Sequence, residues 1–367
     1  MSGALAKFVD YIRGSGEYSV SVPPFDGALR PNEIIEAGRL LVTAPDPDNL
    51  TLTPAGVVFS SSESLLLVES QSAAGAQNPF TVLQRYPVAI TAIAAHDDSV
   101  AVGLERGGIR VRGGPFDGKS FQTFDGLSIN CPTALAFRDA KTLVIANGST
   151  RHSPTGWKQD LMEGNSSGSV WQLDLESGRP WRLATGLAYP YGLLPLADGA
   201  VLVSESWRHR IVRVAGNNAP QPVLTNLPAY PSRLSRCSRG GAWVAMFAPR
   251  RRLVEFVLRE PAYRKRMMTE IPSDYWIAPT LAPMSSFLEP LQGGTLKQLA
   301  RLKPWAPSRS YGLIIRIDDK FQPIESLHSR ADGTRHGVRS ILEVGDGVLA
   351  ASAGANAIVL IAPGKEA

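Results

Sequence analysis

A hairpin pattern that recurs six times at one length constrains this chain more than any other feature, because internal repeats decide architecture before local propensities do. The clearest copy is YPYGLLPLADGAVLVSESWRHRIVRV, residues 189–214. It reads as an apolar strand, an Asp198-Gly199 turn, a second apolar strand, a loop and a third alternating strand; an Asp-Gly turn between such runs is a hairpin signal. The same pattern starts at Leu52, Ala89, Cys131, Tyr230 and Gly337. Aligned without gaps, its apolar anchors are Val57, Ile93, Leu135, Leu193, Leu234 and Ile341. Two positions earlier stand Ala55, Thr91, Thr133, Tyr191, Ser232 and Arg339; twelve positions later stand Glu69, Glu105, Asn147, Glu205, Met246 and Ala353. Further strand-turn-strand segments follow at 169–187, 211–227 and 312–327. Six four-stranded units predict an all-β fold, a six-bladed β-propeller, in which radial repetition protects the sheet edges.

The sixth unit ends one strand short, after Ala357-Ile358-Val359-Leu360, while GRLLVTAP at 38–45 stands spare before the first. Pairing the two closes the ring and removes two open edges. The propeller is therefore assigned to 38–367, and 1–37 is a segment packing on it, with a short helix expected in ALAKFVDYIRG. Two stretches depart from the repeat. Residues 147–168 are a long loop in the third blade, and 249–310 are a helical insertion in the fifth. Within the insertion, RRRLVEFVLREPAYRKRMM and GGTLKQLARLK have helical spacing, with Pro261 breaking the first. Trp276, Phe287, Trp305 and Tyr311 make it aromatic, which suits either a packing cap or a lid over a pocket.

Composition excludes several classes. With 44% hydrophobic and 19% charged residues the chain is globular, and its 34 glycines and 28 prolines suit a fold full of turns. No apolar run reaches the roughly 18 residues of a membrane helix, and the N-terminus lacks the pattern of a signal peptide. Two cysteines, Cys131 and Cys237, cannot make a disulfide framework, so a reducing cytoplasm is expected. The net charge of +5 is scattered, which argues against a nucleic-acid partner.

In a propeller the inner strand of each blade lines the central channel, so the two aligned sets should ring one mouth. Convergent polar groups at such a concavity are a binding-site signature and point to a small-molecule substrate. AVLVSESWRHRIVRV, GGAWVAMFAPRR and GLIIRIDDKFQPIESLHSRADG together resemble the strictosidine synthase-like family, over roughly residues 50–362. Its wider relatives are gluconolactonases, phosphotriesterase-type hydrolases and paraoxonases. The resemblance implies a six-bladed propeller acting on small molecules at the channel. The hydrolase relatives hold calcium through Glu, Asn and Asp in the first ring, where this chain has Ala55, Thr133, Tyr191 and Ser232. Strictosidine synthase places a catalytic Glu at the position of Arg339, and a guanidinium cannot replace a carboxylate base.

The residues then assign Glu205 to proton transfer, with Tyr191 and Arg339 beside it. Arg339 pairs with a carboxylate or clamps one on the substrate. Glu69, Glu105, Asn147, Thr133, Ser232, His209 and Trp276 are expected to line the substrate, with no metal and no cofactor. The first reading is a calcium-free small-molecule enzyme of the strictosidine synthase-like group. Two alternatives stay open: a calcium-dependent ester or lactone hydrolase using Glu69, Glu105, Asn147 and Glu205, and a non-catalytic binding propeller.

Overall fold

The computed structural model describes residues 22–69, 80–216, 218–283, 309–345 and 347–362, with isolated positions between 285 and 302. Six four-stranded antiparallel sheets surround one axis. From the axis outward, blade 1 is Pro47–Thr53, Gly56–Ser61, Ser64–Glu69 and Thr81–Arg85. Blade 2 is Ile90–His96, Ser99–Leu104, Gly108–Arg112 and Ser120–Phe121, and blade 3 is Pro132–Phe137, Thr142–Asn147, Gly168–Asp174 and Pro180–Leu187. Blade 4 is Pro190–Pro195, Val201–Glu205, Arg210–Val214 and Gln221–Leu224. Blade 5 is Ala229–Arg236, Ala242–Pro249, Leu313–Ile317 and Pro323–His328. In blade 6, Val338–Val344, Gly347–Ser352 and Ala357–Ile361 are completed by Arg39–Thr43, with Leu40 opposite Val359. The spare strand thus closes the ring where the incomplete unit needed it.

Blade 1 corrects the sequence alignment. Its inner strand is Pro47–Thr53, and the hairpin aligned around Val57 forms the second and third strands. The true anchor is Leu50 and the true ring residue is Asp48, while Ala55 falls in the turn after the inner strand. Pro47-Asp48-Asn49 begins the inner strand with turn-type residues, so the apolar pattern slipped outward by one strand.

Apolar side chains facing between blades form the core. Ala92, Leu135, Ile145 and Trp171 pack blade 2 on blade 3, and Leu194, Leu202, Leu234 and Val244 pack blade 4 on blade 5. Each buried Leu, Ile or Val among them contributes roughly 1.5–3 kcal/mol. Gly192 is required by this closeness: a Cβ there would meet the Ser232 carbonyl oxygen at 2.2 Å.

The fifth-blade insertion opens with helices Arg252–Arg259 and Pro261–Glu270, Pro261 taking the first position of the second, where its missing N–H costs nothing. Of the second expected helix, only Lys297–Gln298 and Arg301–Leu302 are described, and they pair as a short antiparallel ladder instead. The helix expected in ALAKFVDYIRG lies outside the described residues. Residues 22–37 run along blade 5: Phe25 stacks on Tyr311 at 5.6 Å, and Asn32 donates to the Ser326 carbonyl at 2.8 Å. No described helix is long and apolar enough to cross a membrane.

Candidate functional site

Every inner strand shifts register at its ring residue or, in blade 1, just after it: between Asp48 and Thr51, Ile90 and Ala92, Pro132 and Ala134, Pro190 and Gly192, Pro231 and Leu234, and Val338 and Ser340. Such bulges re-aim a side chain. Here they turn hydroxyls sideways to join neighbouring blades. Thr91 Oγ1 donates to the Pro132 carbonyl at 2.6 Å, Thr133 Oγ1 to Pro190 at 2.5 Å, and Ser232 Oγ to Arg339 at 2.9 Å. Ser204 Oγ donates to the Ser232 carbonyl at 2.6 Å, Leu50 N to Ser340 Oγ at 2.9 Å, and Ile93 N to Asn49 Oδ1 at 3.2 Å. These bonds bridge all six blade junctions. Thr133 and Ser232 are fully engaged in this belt, which is a structural occupation the sequence did not indicate.

A residue absent from the sequence-based set holds the axis. Arg233, on the inner strand of blade 5, donates from Nε and Nη2 to Asp48 Oδ1 and Oδ2 at 2.7 and 2.9 Å. It also donates to the carbonyls of Thr133 (2.7 Å) and Thr91 (3.0 Å), and its guanidinium lies 5.2 Å from the centre of the Tyr191 ring. One side chain therefore ties blade 5 to blades 1, 2, 3 and 4. Asp46 and Asn49, flanking Asp48, both adopt left-handed φ (50° and 60°), a conformation Asp and Asn tolerate better than most residues. Burial pushes the Asp48 carboxyl up, but Arg233 and Arg339 outweigh it and hold Asp48 below the usual value.

Above this pair lies a cavity of about 250 Å³ lined by Asp46, Asp48, Thr91, Thr133, Tyr189, Tyr191 and Arg339, with Trp157, Trp207, Phe247 and Leu281 from the surrounding loops. Its wall is aromatic. Tyr189 stacks on Trp207 at 4.3 Å, and Phe247 meets Tyr191 and Trp157 edge-on at 5.8 and 5.6 Å. Tyr189 is buried with φ +58°, a left-handed backbone unusual for a bulky residue and typical of a constrained site. The third-blade loop fixes the wall: buried Asp160 accepts from Trp207 Nε1 at 2.7 Å and from Asn165 Nδ2 at 2.6 Å. Both departures from the repeat thus contribute to this mouth, the loop through Trp157 and the insertion through Leu281.

Two polar groups face this wall. Arg339 Nη2 donates to Asp46 Oδ1 at 2.8 Å, while its buried Nε, 3.7 Å from Asp48 Oδ2, has no hydrogen-bond partner among the described residues. The Tyr191 phenol is pushed up to about 12 by burial and by Asp48, against the opposing pull of Arg339 and Arg233, so it stays protonated at neutral pH.

The other expected residues are placed differently. Glu205 is completely buried and outside the cavity lining; it accepts from Ala188 N (2.7 Å), Arg208 Nη1 (2.6 Å) and Arg210 Nε (2.5 Å), and is not paired with Arg339. Glu69 ends the third strand of blade 1, exposed at the opposite end of the propeller, as the corrected register requires. Glu105 sits after the second strand of blade 2 and accepts from Thr155 Oγ1. Asn147 is buried, accepting from Cys131 N at 2.9 Å and donating to the Ser149 carbonyl at 3.2 Å. His209 packs on Tyr230 at 4.5 Å, and burial, then Arg250, hold its imidazole well below the usual value, hence neutral. Trp276 donates to the Ile271 carbonyl at 2.8 Å and belongs to the apolar cluster that includes Phe247, with Trp157 and Trp207 packed against it, but it is not itself part of the cavity lining. Of the expected set, the structure brings together Tyr191, Arg339 and Thr133 at this mouth and leaves Glu205, Glu69, His209 and Trp276 outside the cavity.

Comparison with known proteins agrees with this architecture. No family model matches the chain. The adipocyte plasma membrane-associated protein of Danio rerio is 30% identical over 137 residues, covering 35% of this chain and 33% of that protein. Its Homo sapiens counterpart is 23% identical over 193 residues, covering 50% of this chain and 44% of that protein. The chain thus spans a third to under a half of the length of these relatives. Among solved structures, a gluconolactonase from Xanthomonas campestris aligns with a TM-score of 0.54 at 12% identity, over 94% of this chain and 95% of that one. A calcium-binding protein, regucalcin, from Agrobacterium tumefaciens aligns with a TM-score of 0.50 at 11% identity, over 89% and 95%. The chain is a six-bladed propeller, similar in sequence to the adipocyte plasma membrane-associated proteins and in fold to the gluconolactonase and regucalcin propellers.

Proposed function

We propose that this protein is a small-molecule enzyme of the strictosidine synthase-like and gluconolactonase-type propellers, working at the aromatic cavity above Asp48. Its substrate is an aromatic or apolar compound carrying a carboxylate or a polarisable carbonyl. The observation that carries this reading is the buried Arg339 Nε–H, which has no hydrogen-bond partner among the described residues, set against the Tyr189–Tyr191–Trp207–Phe247 wall. A buried donor without a partner costs about 1–3 kcal/mol, which a ligand oxygen would return. Arg339 then orients or stabilises negative charge on that oxygen, and Tyr191, a protonated phenol, donates a hydrogen bond or proton to it. Glu105, which accepts from the cavity-lining Thr155, is a carboxylate at this mouth without an arginine partner among the described residues. Glu205 supports the blade rather than the chemistry.

The calcium of regucalcin does not fit this chain's axis. Calcium takes six to eight oxygens, including carboxylates. Both Asp48 oxygens and the Thr91 and Thr133 carbonyls already accept from Arg233. A divalent ion about 4 Å from a guanidinium would be repelled by roughly 8 kcal/mol at an effective dielectric near 20. No group of three or more His, Cys, Asp or Glu suited to a metal occurs among the described residues.

A second reading is a binding propeller without turnover, which the locking of Asp48 by two arginines favours. Aryl esters, lactones and amine–aldehyde pairs should be screened for turnover and for thermal stabilisation, with Arg339→Gln as control. Turnover lost in Arg339→Gln supports the enzyme. Stabilisation without turnover supports the binding reading. Ligands that act equally on wild type and Arg339→Gln would refute the site.

A further inference from the structure

We infer that the guanidinium of Arg233 is the resident cation of an oxygen cage on the propeller axis, a counter-ion tethered to the chain instead of taken from solution. The cage is the Asp48 carboxylate together with the carbonyls of Thr91 and Thr133, contributed by blades 1, 2 and 3. Arg233 enters it from blade 5. The equivalent positions in the other blades, one residue before each anchor, are Asn49, Ala92, Ala134, Gly192 and Ser340, all small. The arginine is therefore the single long side chain at a repeat position that is otherwise short.

The chemistry of the cage calls for a cation independently of any relative. Asp48 is 6% exposed and the strand ends present carbonyl dipoles to the same point, so a positive charge must sit there for the carboxylate to remain ionised. A planar guanidinium meets a carboxylate through two parallel N–H bonds and still has edges for two carbonyls, a geometry that an ammonium cannot reproduce. Tethering removes the dependence on ion concentration: the cation is always present and cannot be chelated.

The inference is tested by cutting the tether. Arg233→Ala should lower the melting temperature, and guanidinium chloride at 1–20 mM, on the order of what cavity rescue needs, should restore at least about 2 °C of it by binding only the folded state. Sodium chloride at equal ionic strength and urea at equal concentration, the latter of similar shape without charge, should restore nothing. The wild type should respond to none of the three at these concentrations. Rescue by urea as effective as by guanidinium would overturn the proposal, as would an unaltered melting temperature in Arg233→Ala. A calcium-induced rise in the wild type that Asp48→Asn abolishes would overturn it too. Should Arg233→Ala fail to fold, Arg233→Met is compared with the double variant Arg233→Met, Asp48→Asn. Recovery of stability in the double variant supports Arg233 as the cation that buried Asp48 requires, and no recovery refutes it.

Discussion

Two buried carboxylates in this molecule have almost the same dressing and opposite meanings. Asp48 and Glu205 are each covered from solvent, and each accepts from arginine and from a backbone N–H. Glu205 takes its arginines, Arg208 and Arg210, from its own blade, three and five residues away. Asp48 takes Arg233 from blade 5 and faces Arg339 from blade 6. The first arrangement staples one loop; the second joins the ring across its axis and borders a cavity. Burial and charge pairing therefore do not identify a site by themselves. What separates the two is where the partners come from in the chain and whether a buried donor lacks a hydrogen-bond partner among the described residues, as Arg339 Nε does and no buried donor of Arg208 or Arg210 does.

The largest expected difference is in stability. Removing one partner of a buried pair strands the other, so Arg233→Met should cost about 3–5 kcal/mol in denaturant unfolding. Glu205→Gln should cost less, about 1–3 kcal/mol, because the Arg208 and Arg210 side chains are 33% and 17% exposed and can turn to water. Equal costs would erase the distinction. In ligand binding or turnover the order becomes all-or-nothing: Arg339→Gln should lose about tenfold to a hundredfold, the value of one charge-assisted hydrogen bond, while Glu205→Gln stays near wild type. A kinetic defect confined to Glu205→Gln would return that residue to the site.

A smaller effect separates the carboxylates from the buried imidazoles. His328 is lowered to about 4 by burial, and His209 and His336 are lowered as well. Their unfolded forms take up protons below about pH 6.5, the folded forms only at lower pH, so stability is full above 6.5 and falls on acidification. From pH 7 to 5, His328 alone should cost about 2 kcal/mol, and His328→Asn should flatten that slope in pH-dependent unfolding. Asp48, lowered instead, contributes fully above about pH 4 and is lost only below it, so Asp48→Asn should leave the slope between 7 and 5 unchanged. Smallest of all, a chelator should not move the wild-type melting temperature, since the axial oxygens are already bonded within the chain; a drop of several degrees would contradict the reading of Arg233.

The repeat made the blade number, the two interruptions and the closing strand legible, because spaced apolar hairpins report burial directly. Blade 4 shows this best, its Asp198-Gly199 turn and flanking strands lying where the pattern placed them. Blade 1 was misread because Asp48 and Asn49 serve the axis and its junctions at the expense of apolar patterning, and the next hairpin imitates the repeat. Arg233 was missed for a related reason: an alignment of anchors and rings passes over the residue between them, although a lone arginine inside YPSRLSR was the available signal. The orientation of Glu205 depended on partners in its own blade, Arg208 in the following turn and Arg210 at the start of the next strand, whose side-chain geometry a strand pattern does not encode.

The closing pair also sets an order in time. Arg39–Thr43 is among the first parts of the propeller to be synthesised, and its partner Ala357–Ile361 is among the last. While the chain emerges, five blades can assemble with the first strand waiting unpaired, an exposed edge of the kind that invites association with other chains. The contacts that end this exposure span nearly the whole sequence, which makes closure a slow, late step of folding. Loss of the last few residues of blade 6 would thus do more than shorten one sheet: it would leave the newborn ring permanently at the stage where it is most prone to aggregate.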